Sequence, residues 1–483
     1  MRHERGPDHR TIAQEIALSA LTQRAPLAVS LASRFREAGY TLALVGGPVR
    51  DAILGRLGND LDFTTNARPD ATKKILSKWA DNVWEVGADY GTIAGKSGEI
   101  TVEITTYRSE KYDPTSRKPD VNFGDQIEGD LFRRDFTINA MAIELTTEPP
   151  TFIDLHDGVD DLAAKILRTP GKAEDSFNDD PLRMLRAARF VSQLGFTVSS
   201  DIATAMSAMS DRISIVSAER IRDELTKLIM GTYPRLGLTL LVETGLAEKV
   251  LPELPKLRLE IDEHHHHKDV YEHTLTVLEK AIALEDRLGG PNLVIRLAAL
   301  LHDIGKPKTR ELLPGGGVSF HHHEVVGARM TKERLRALHF SKEQINDISE
   351  LVFLHLRFHG YGSGEWTDSA VRRYVRDAGP LLEHLHVLTR ADCTTRNQRK
   401  AELLAATYDS LEARIAQLKA QEELDAIRPD LDGVAIMRIL GIKPSPIVGE
   451  AYDYLLEQRL EQGPLGEERA TEMLLSWWEQ RQK

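Results

Sequence analysis

The sequence predicts an α+β fold in which a mixed strand–helix portion comes first and helices fill the remainder. Up to about Arg168, short stretches of period two alternate with short helical ones, and Pro170-Gly171 closes that portion. Beyond residue 172 the apolar residues recur at helical spacing almost throughout. Loop signals at Pro252–Pro255, Gly289-Gly290, Pro314–Gly317 and Gly360–Gly364 divide these helices, and no internal repeat or low-complexity tract interrupts them.

In chain order, residues 1–25 read as a polar, partly helical lead-in. Pro26–Glu37 reads as a helix with Leu27, Leu31 and Phe35 on one face. Thr41–Val45 is an apolar strand, Gly46-Gly47 a turn, Val49-Arg50-Asp51 the start of a short helix, and Asp60-Leu61-Asp62-Phe63 an extended segment. Pro69–Trp79 begins at a proline and reads as a helix. Thr92–Ala94 and Ile100–Tyr107 form a hairpin turning at Ser97-Gly98. Ser109–Asp125, with Arg117 and Lys118, has no period and reads as a mobile loop. Phe152–Arg168 reads as strand, Asp157-Gly158 turn, short helix and strand. Helices follow near 173–194, 199–209, 217–230, 234–244, 269–285, 291–304, 320–338, 342–357, 368–376, 380–396, 399–425, 432–440 and 446–480.

A length of 483 residues suggests two to four domains, and 41% hydrophobic with 28% charged residues suits chains with real cores. No apolar run has the length of a membrane span, so no membrane partner is expected, and the polar start MRHERGPDHR lacks the apolar core of a signal peptide. The single cysteine, Cys393, excludes an intrachain disulfide framework and fits a reducing, cytoplasmic setting. A net charge of −12 argues against a nucleic-acid platform over the whole surface but leaves room for a local basic groove.

The chemistry concentrates between Leu44 and Thr64. Asp60 and Asp62 are two apart in an extended segment and share one side, with Leu61 and Phe63 on the other. Two carboxylates so close are costly without a cation between them, so a divalent metal is implied. In the Ile100–Tyr107 strand, Glu103 lies opposite the apolar set and offers a third acid. The glycine turn lets backbone N–H groups approach a phosphate, and Arg50 supplies a fork of donors. Together these point to metal-assisted nucleotidyl transfer. The bland alternative is a surface turn with two solvated aspartates; the GGPVRD stretch just before them weighs against it. In LFRRDFTINAMA, Arg133 and Arg134 point different ways, and Asp135 is positioned to fix one of them.

GGPVRD with DLDF, then VEITTYR, RRDFTINAMA and DDPLRMLRAARF, resemble the bacterial class II tRNA nucleotidyltransferases, the CCA-adding enzymes, with poly(A) polymerases as close relatives. The resemblance runs from about residue 26 to 230. It implies a polymerase-β-like nucleotidyltransferase head (a mixed sheet with helices) at 26–171 after the lead-in at 1–25. A helical neck at 172–260, an HD-containing body at 261–400 and a helical tail at 401–483 follow. It implies that Asp60 and Asp62 bind catalytic Mg²⁺, with Glu103 as third carboxylate. Gly46, Gly47 and Arg50 would hold the triphosphate, Arg133 or Arg134 the nucleotide, and Asn139 the ribose.

Asp179-Asp180-Pro181-Leu182-Arg183 resembles the family's nucleotide template, with Asp where the family's first acid is Glu. Asp180 would accept from the exocyclic amine of C or A and Arg183 would donate to the ring nitrogen; U and G present an acceptor to the carboxylate. Three apart on a helix, the two are neighbours. Arg186 and Arg189 continue the series, which drifts by roughly 60° per step, so they are assigned to phosphate or tRNA contact or to orienting the template. The plain alternative is a helix with ordinary salt bridges. Some poly(A) polymerases carry a basic-aromatic segment near residue 86. Here Glu85–Tyr90 is acidic, which favours CCA addition while leaving CC-only or A-only addition open.

A second set, His273, His302-Asp303, His323, His355 and Asp392, resembles the HD superfamily of metal-dependent phosphohydrolases and implies a divalent metal whose identity stays open. A 2′,3′-cyclic phosphodiesterase or phosphatase acting on RNA ends would fit; a degenerate scaffold for tRNA is the alternative. His264–His267 read as loop composition, and His321 and His322 as bystanders. The resulting expectation is a cytoplasmic CCA tRNA nucleotidyltransferase using CTP and ATP and releasing pyrophosphate. The tRNA would lie along neck, body and tail, with Arg212, Arg220 and Arg222 as phosphate contacts. A poly(A) polymerase, an HD phosphohydrolase and a non-catalytic RNA-binding protein are the rivals.

Overall fold

Alternation of buried and exposed residues builds a seven-stranded sheet near the start of the chain. The computed structural model describes residues 9–86, 91–111, 120–124, 126–258, 269–314, 318–360, 367–394, 397–422 and 427–482. The chain divides into two compact units, Met1–Pro252 and Glu253–Lys483.

The first unit opens with α1 (His9–Arg24), α2 (Pro26–Glu37), β1 (Ala43–Val45), α3 (Gly47–Ile53), β2 (Asp60–Thr65) and α4 (Pro69–Leu76). Next come β3 (Asn82–Glu85), β4 (Thr92–Ser97), β5 (Ile100–Thr106), β6 (Arg108–Lys111), β7 (Asp120–Phe123), α5 (Ile127–Phe132), β8 (Met141–Glu144) and β9 (Thr151–Asp154). It continues through α6 (Gly158–Ala164), β10 (Ile166–Leu167), α7 (Ala173–Asp179), α8 (Leu182–Leu194) and β11 (Thr197–Val198), then α9 (Ser200–Met209), α10 (Ala218–Ile229), α11 (Pro234–Glu243) and α12 (Ala247–Val250).

The sheet order is β3-β4-β5-β2-β1-β8-β9. β2 and β5 run parallel, and the other neighbours are antiparallel. Leu61, Phe63, Val102 and Ile104 are buried on one face, so Asp60, Asp62 and Glu103 necessarily share the open one.

Several expectations change. The lead-in is a full helix, since Ala13, Ala17 and Leu21 form a narrow buried stripe against α2, α3 and α6. On α2 the buried face is Ala28, Leu31, Ala32 and Phe35, while Leu27 is exposed. The stretch read as a loop contains the paired strands β6 and β7; Arg117 and Lys118 lie outside the described residues. β10 pairs with β11 and not with the main sheet. Residues 173–194 form two helices, because Pro181 disfavours a helical residue before it and Asp180 is extended at φ −138°, ψ 102°.

The second unit contains α13 (Val270–Ala283), α14 (Leu293–Leu301), α15 (Lys306–Thr309), β12 (Glu311–Leu312), β13 (Val318–Ser319), α16 (His323–Ala337), α17 (Lys342–Leu354) and α18 (Arg357–Gly360). It ends with α19 (Asp368–Ala378), α20 (Leu382–Asp392), α21 (Gln398–Gln421), α22 (Gly433–Leu440), α23 (Pro446–Gln462) and α24 (Glu467–Gln482). The apolar run Leu297–Leu301 is buried where α14 meets α13, α17 and α20. Residues 446–480 break into α23 and α24 at Gly463 and Gly466, both at positive φ. Leu431, Ile436, Ala451, Leu455, Ala470 and Leu474 give α22–α24 a core of their own. Among the described residues no helix is long and apolar enough to cross a membrane.

Candidate functional site

In the first unit, the β2–β5 register sets Asp62 directly beside Glu103, with Asp60 one pleat along β2 on the same face. Burial pushes the Asp62 carboxyl up to about 6; the nearby Arg134 charge opposes this, and the Glu103 and Asp60 charges add to it. Three hard oxygen donors on one open face, one of them reluctant to ionise beside the others, form a donor set suited to a divalent cation.

Gly46 stands at the head of α3 with φ 74°, and a Cβ there would come 2.7 Å from Arg134 Nη1. Only glycine lets that guanidinium lie against the turn. Arg134 therefore borders the glycine turn while its charge reaches Asp62. At Gly47 a Cβ would meet Arg50 Nη2 at an ordinary 3.5 Å. Arg50 is only 8% exposed, donates to Asp51 (3.0 and 2.9 Å) and to Asn139 Oδ1 (2.6 Å), and lies over the Phe190 ring. Here it is held inside the protein rather than offered as an open fork, and Asn139 is equally engaged.

The partner of the arginine pair is not Asp135. Fully buried Asp130 accepts from Arg133 (2.6 and 3.0 Å) and Arg134 (3.3 Å). Burial would raise the Asp130 carboxyl, and the two guanidinium groups more than offset it. The i, i+3 and i, i+4 spacings were the available signal. Asp135 instead accepts from Arg186 (2.8 and 2.5 Å), Asn139 (3.0 Å) and the Phe136 N–H (2.9 Å). Arg189 donates to Glu224 at 3.1 Å, and its burial beside Arg186 lowers it to about 10. Arg186 and Arg189 thus bind α8 to the protein itself, and the guanidinium groups of Arg50, Arg186 and Arg189 surround Phe190. Phe190 and Glu224 carry no signal in the sequence that marks them out.

The Asp135 pair has a pH signature. Burial would raise this carboxyl, yet Arg186 and the Asn139 hydrogen bond hold it below the usual carboxylate range. Its contribution to stability is complete above the unfolded value of about 3.9 and fades as pH falls through the lower folded value. Asp135→Asn is expected to cost about 3 kcal/mol at neutral pH. It should also flatten the loss of thermal stability below about pH 4, as calorimetry across pH would show.

A cavity of about 260 Å³ lies between α5, the 170–172 segment and α7, bordered by Arg133, Arg134, Lys172, Asp179 and Arg183 among others. Arg183 donates to Ser176 Oγ at 2.9 Å and to the Arg133 carbonyl at 2.6 Å. Asp180 does not border this cavity and is not on a helix. Its carboxylate accepts from the Leu182 N–H at the start of α8 (3.0 Å) and pairs with Arg220 (3.0 Å). Of the other expected phosphate contacts, Arg212 donates to the Asn178 carbonyl and Arg222 to Asp223.

In the second unit six side chains converge. His273, His302 and Asp392 have ligand atoms within 4.8 Å of one another, as do Asp303, His323 and His355. Asp303 joins the groups, its Oδ2 3.2 Å from His302 and its Oδ1 3.2 Å from His323. His302, His323 and His355 each donate Nδ1–H to a backbone carbonyl, of Ala299, Phe320 and Val352. Carbonyls only accept, so His323 and His355, when neutral, turn an Nε2 lone pair inward, whereas at His302 burial is outweighed by the Asp303 charge, which favours the charged ring. His323 Nε2 and His355 Nε2 then face each other at 3.2 Å, an arrangement that calls for a cation. Burial and the His302 charge lower His355 to about 4, keeping it neutral, the form able to ligate a metal. Asp303 lies well below its usual range, where His302 and Lys306 outweigh burial. Gly305 permits the convergence, since a Cβ there would overlap the His323 carbonyl. His321 and His322 are exposed, and His264–His267 lie outside the described residues.

A family profile described as "Poly A polymerase head domain" matches residues 42–168. "Probable RNA and SrmB- binding site of polymerase A" matches 195–257, and "HD domain" matches 270–397. The chain is 39% identical to the CCA-adding enzyme of Levilactobacillus brevis over 230 residues, 47% of this chain and 56% of that one, so it spans about half the length of such relatives. Its fold is similar to that of the Bacillus stearothermophilus CCA-adding enzyme in complex with CTP, with a TM-score of 0.64 and 24% identity over 94% of this chain and 98% of that one. To the A-adding tRNA nucleotidyltransferase of Deinococcus radiodurans it is 32% identical over 428 residues, 86% of this chain and 91% of that one. A likeness carried across nearly the whole of both chains, on top of the shared head, means that this chain belongs to the tRNA nucleotidyltransferase and poly(A) polymerase family.

Proposed function

We propose that the chain is a cytoplasmic CCA tRNA nucleotidyltransferase that adds C, C and A to tRNA 3′ ends from CTP and ATP and releases pyrophosphate. The observation that carries this is the β2–β5 register, which aligns Asp62 with Glu103 and leaves Asp60 on the same open face. Asp60 and Asp62, with Glu103 beside them, are the residues that would hold Mg²⁺. Bound there, it supplies Lewis acidity to the 3′-hydroxyl and the leaving pyrophosphate. Arg134, between the glycine turn and Asp62, is suited to draw the triphosphate toward the acids. The buried Asp135–Arg186 and Asn139–Arg50 bonds keep α8, and with it Arg183, in fixed register with that floor.

Incubation with tRNA lacking its end and with single labelled nucleotides tests the reading: two C, then one A, is the expected product. Addition of A alone to a CC end would favour the A-adding alternative, for which the long match to the Deinococcus relative speaks. Long tails from ATP alone would mean a poly(A) polymerase.

Base choice is assigned to Asp180 with Arg183. Asp180's pair with half-exposed Arg220 is worth at most about 1 kcal/mol and is readily exchanged for a base amine. Asp180→Ala is therefore expected to lose discrimination against UTP by roughly tenfold or more, with a smaller effect on CTP turnover. Loss of selectivity in Asp179→Ala instead would transfer the role to the acid that borders the cavity.

The second unit supports an additional activity. Its six convergent ligands are suited to a divalent metal and to hydrolysis of phosphate esters at RNA ends. Hydrolysis of a 2′,3′-cyclic nucleotide by the purified protein, abolished by chelation, is the direct check.

A further inference from the structure

Phe132 ends α5 and is left 57% exposed. It borders the cavity that also holds Arg133, Arg134, Lys172, Asp179 and Arg183. Gly171 seats the ring, since a Cβ there would come within 3.0 Å of it. The His156 ring supports it 5.8 Å away at 55°. A large apolar ring held beside four cations, with Asp175 and Asp179 as the acids of the same lining, does nothing for the core of the sheet. It suits a ligand that is both aromatic and anionic, with a π-face for the base and guanidinium and ammonium groups for phosphates.

We propose that Phe132 is a stacking platform for a nucleobase at the mouth of this cavity. The proposal rests on the nucleotidyl-transfer reading of the site. The shared chemistry is a nucleobase, from the incoming nucleotide or from the 3′-terminal residue of the RNA.

The full-length Phe132→Trp variant provides a reporter that needs no turnover. Titration with CTP or ATP, and separately with a short single-stranded RNA ending in CC, should quench the added fluorescence in one arm, identifying the source of the base. In steady-state assays Phe132→Leu and Phe132→Ala should raise KM for that ligand roughly tenfold with little change in kcat, and Phe132→Tyr should restore it. Leucine retains apolar packing without a π-face, so a wild-type KM in Phe132→Leu would overturn the proposal, as would absence of quenching in both arms. If Phe132→Ala does not fold, the leucine and tyrosine variants decide. A wild-type protein that incorporates no nucleotide would refute the transferase reading alone, because the quenching arms report the platform independently.

Discussion

Asp62→Asn is expected to lower nucleotide incorporation by roughly three orders of magnitude, the several kcal/mol that metal-assisted charge stabilisation supplies. Thermal stability should hold or rise slightly. The sign follows from the environment of the carboxyl: burial and the neighbouring Glu103 and Asp60 charges raise it to about 6, so its ionised form at neutral pH works against the fold. An amide of the same shape removes that opposition together with the activity. Single-turnover incorporation and a melting curve on one preparation would check both halves. Lost activity with a lowered melting temperature would instead mark Asp62 as structural. Phosphoester hydrolysis by the second unit should be unchanged.

Asp303→Asn is expected to give the mirror image. This carboxylate faces His302 and His273 through Oδ2, at 3.2 and 3.5 Å, and His323 and His355 through Oδ1, at 3.2 and 4.0 Å. It also accepts from Lys306 at 2.6 Å. One substitution therefore disturbs both ligand groups, and metal affinity should fall by more than about a hundredfold, beyond the usual loss for an outer-shell partner. His355→Ala, in contrast, leaves His273, His302 and Asp392 intact and should retain metal there. Elemental analysis of the purified variants distinguishes the two, and both should still incorporate nucleotide. Equal metal content in Asp303→Asn and wild type would remove Asp303 from the ligand set.

The elements that could be read from the sequence are those whose period is imposed by one buried face. β2 and β5 alternate because Leu61, Phe63, Val102 and Ile104 must face the core, and the position of the acids follows from that. The six HD-type residues of the second unit were legible through a resemblance and not through a period, and the structure brings them together. β8 was missed because Met141, Ala142 and Ile143 are all buried, and a continuous apolar run has no period. α1 was underestimated because its buried stripe is mostly alanine. The differences at the site have a common origin. Sequence spacing treated 173–194 as one helix and gave Asp180 a neighbour's geometry, whereas Pro181 breaks the helix and turns its carboxylate to Arg220. The partners of Arg50, Arg186 and Arg189 come from distant parts of the chain, so no local pattern reported that these cations are occupied internally.

The pairing of β2 with β5 also bears on how the protein reaches its folded state. Among the described residues it is the one parallel pair in the main sheet, and α4, β3 and β4 lie between its strands in the chain. Parallel neighbours need a crossover, and the closure entropy of that crossover is spent before any hydrogen bond between them forms. Asp62 and Glu103 consequently become neighbours only with a non-local, intrinsically slow step of folding. The β4–β5 hairpin, by contrast, is a local pairing and does not by itself assemble the acids. The cluster of acids is thus a product of the sheet's non-local pairing and belongs to neither strand alone.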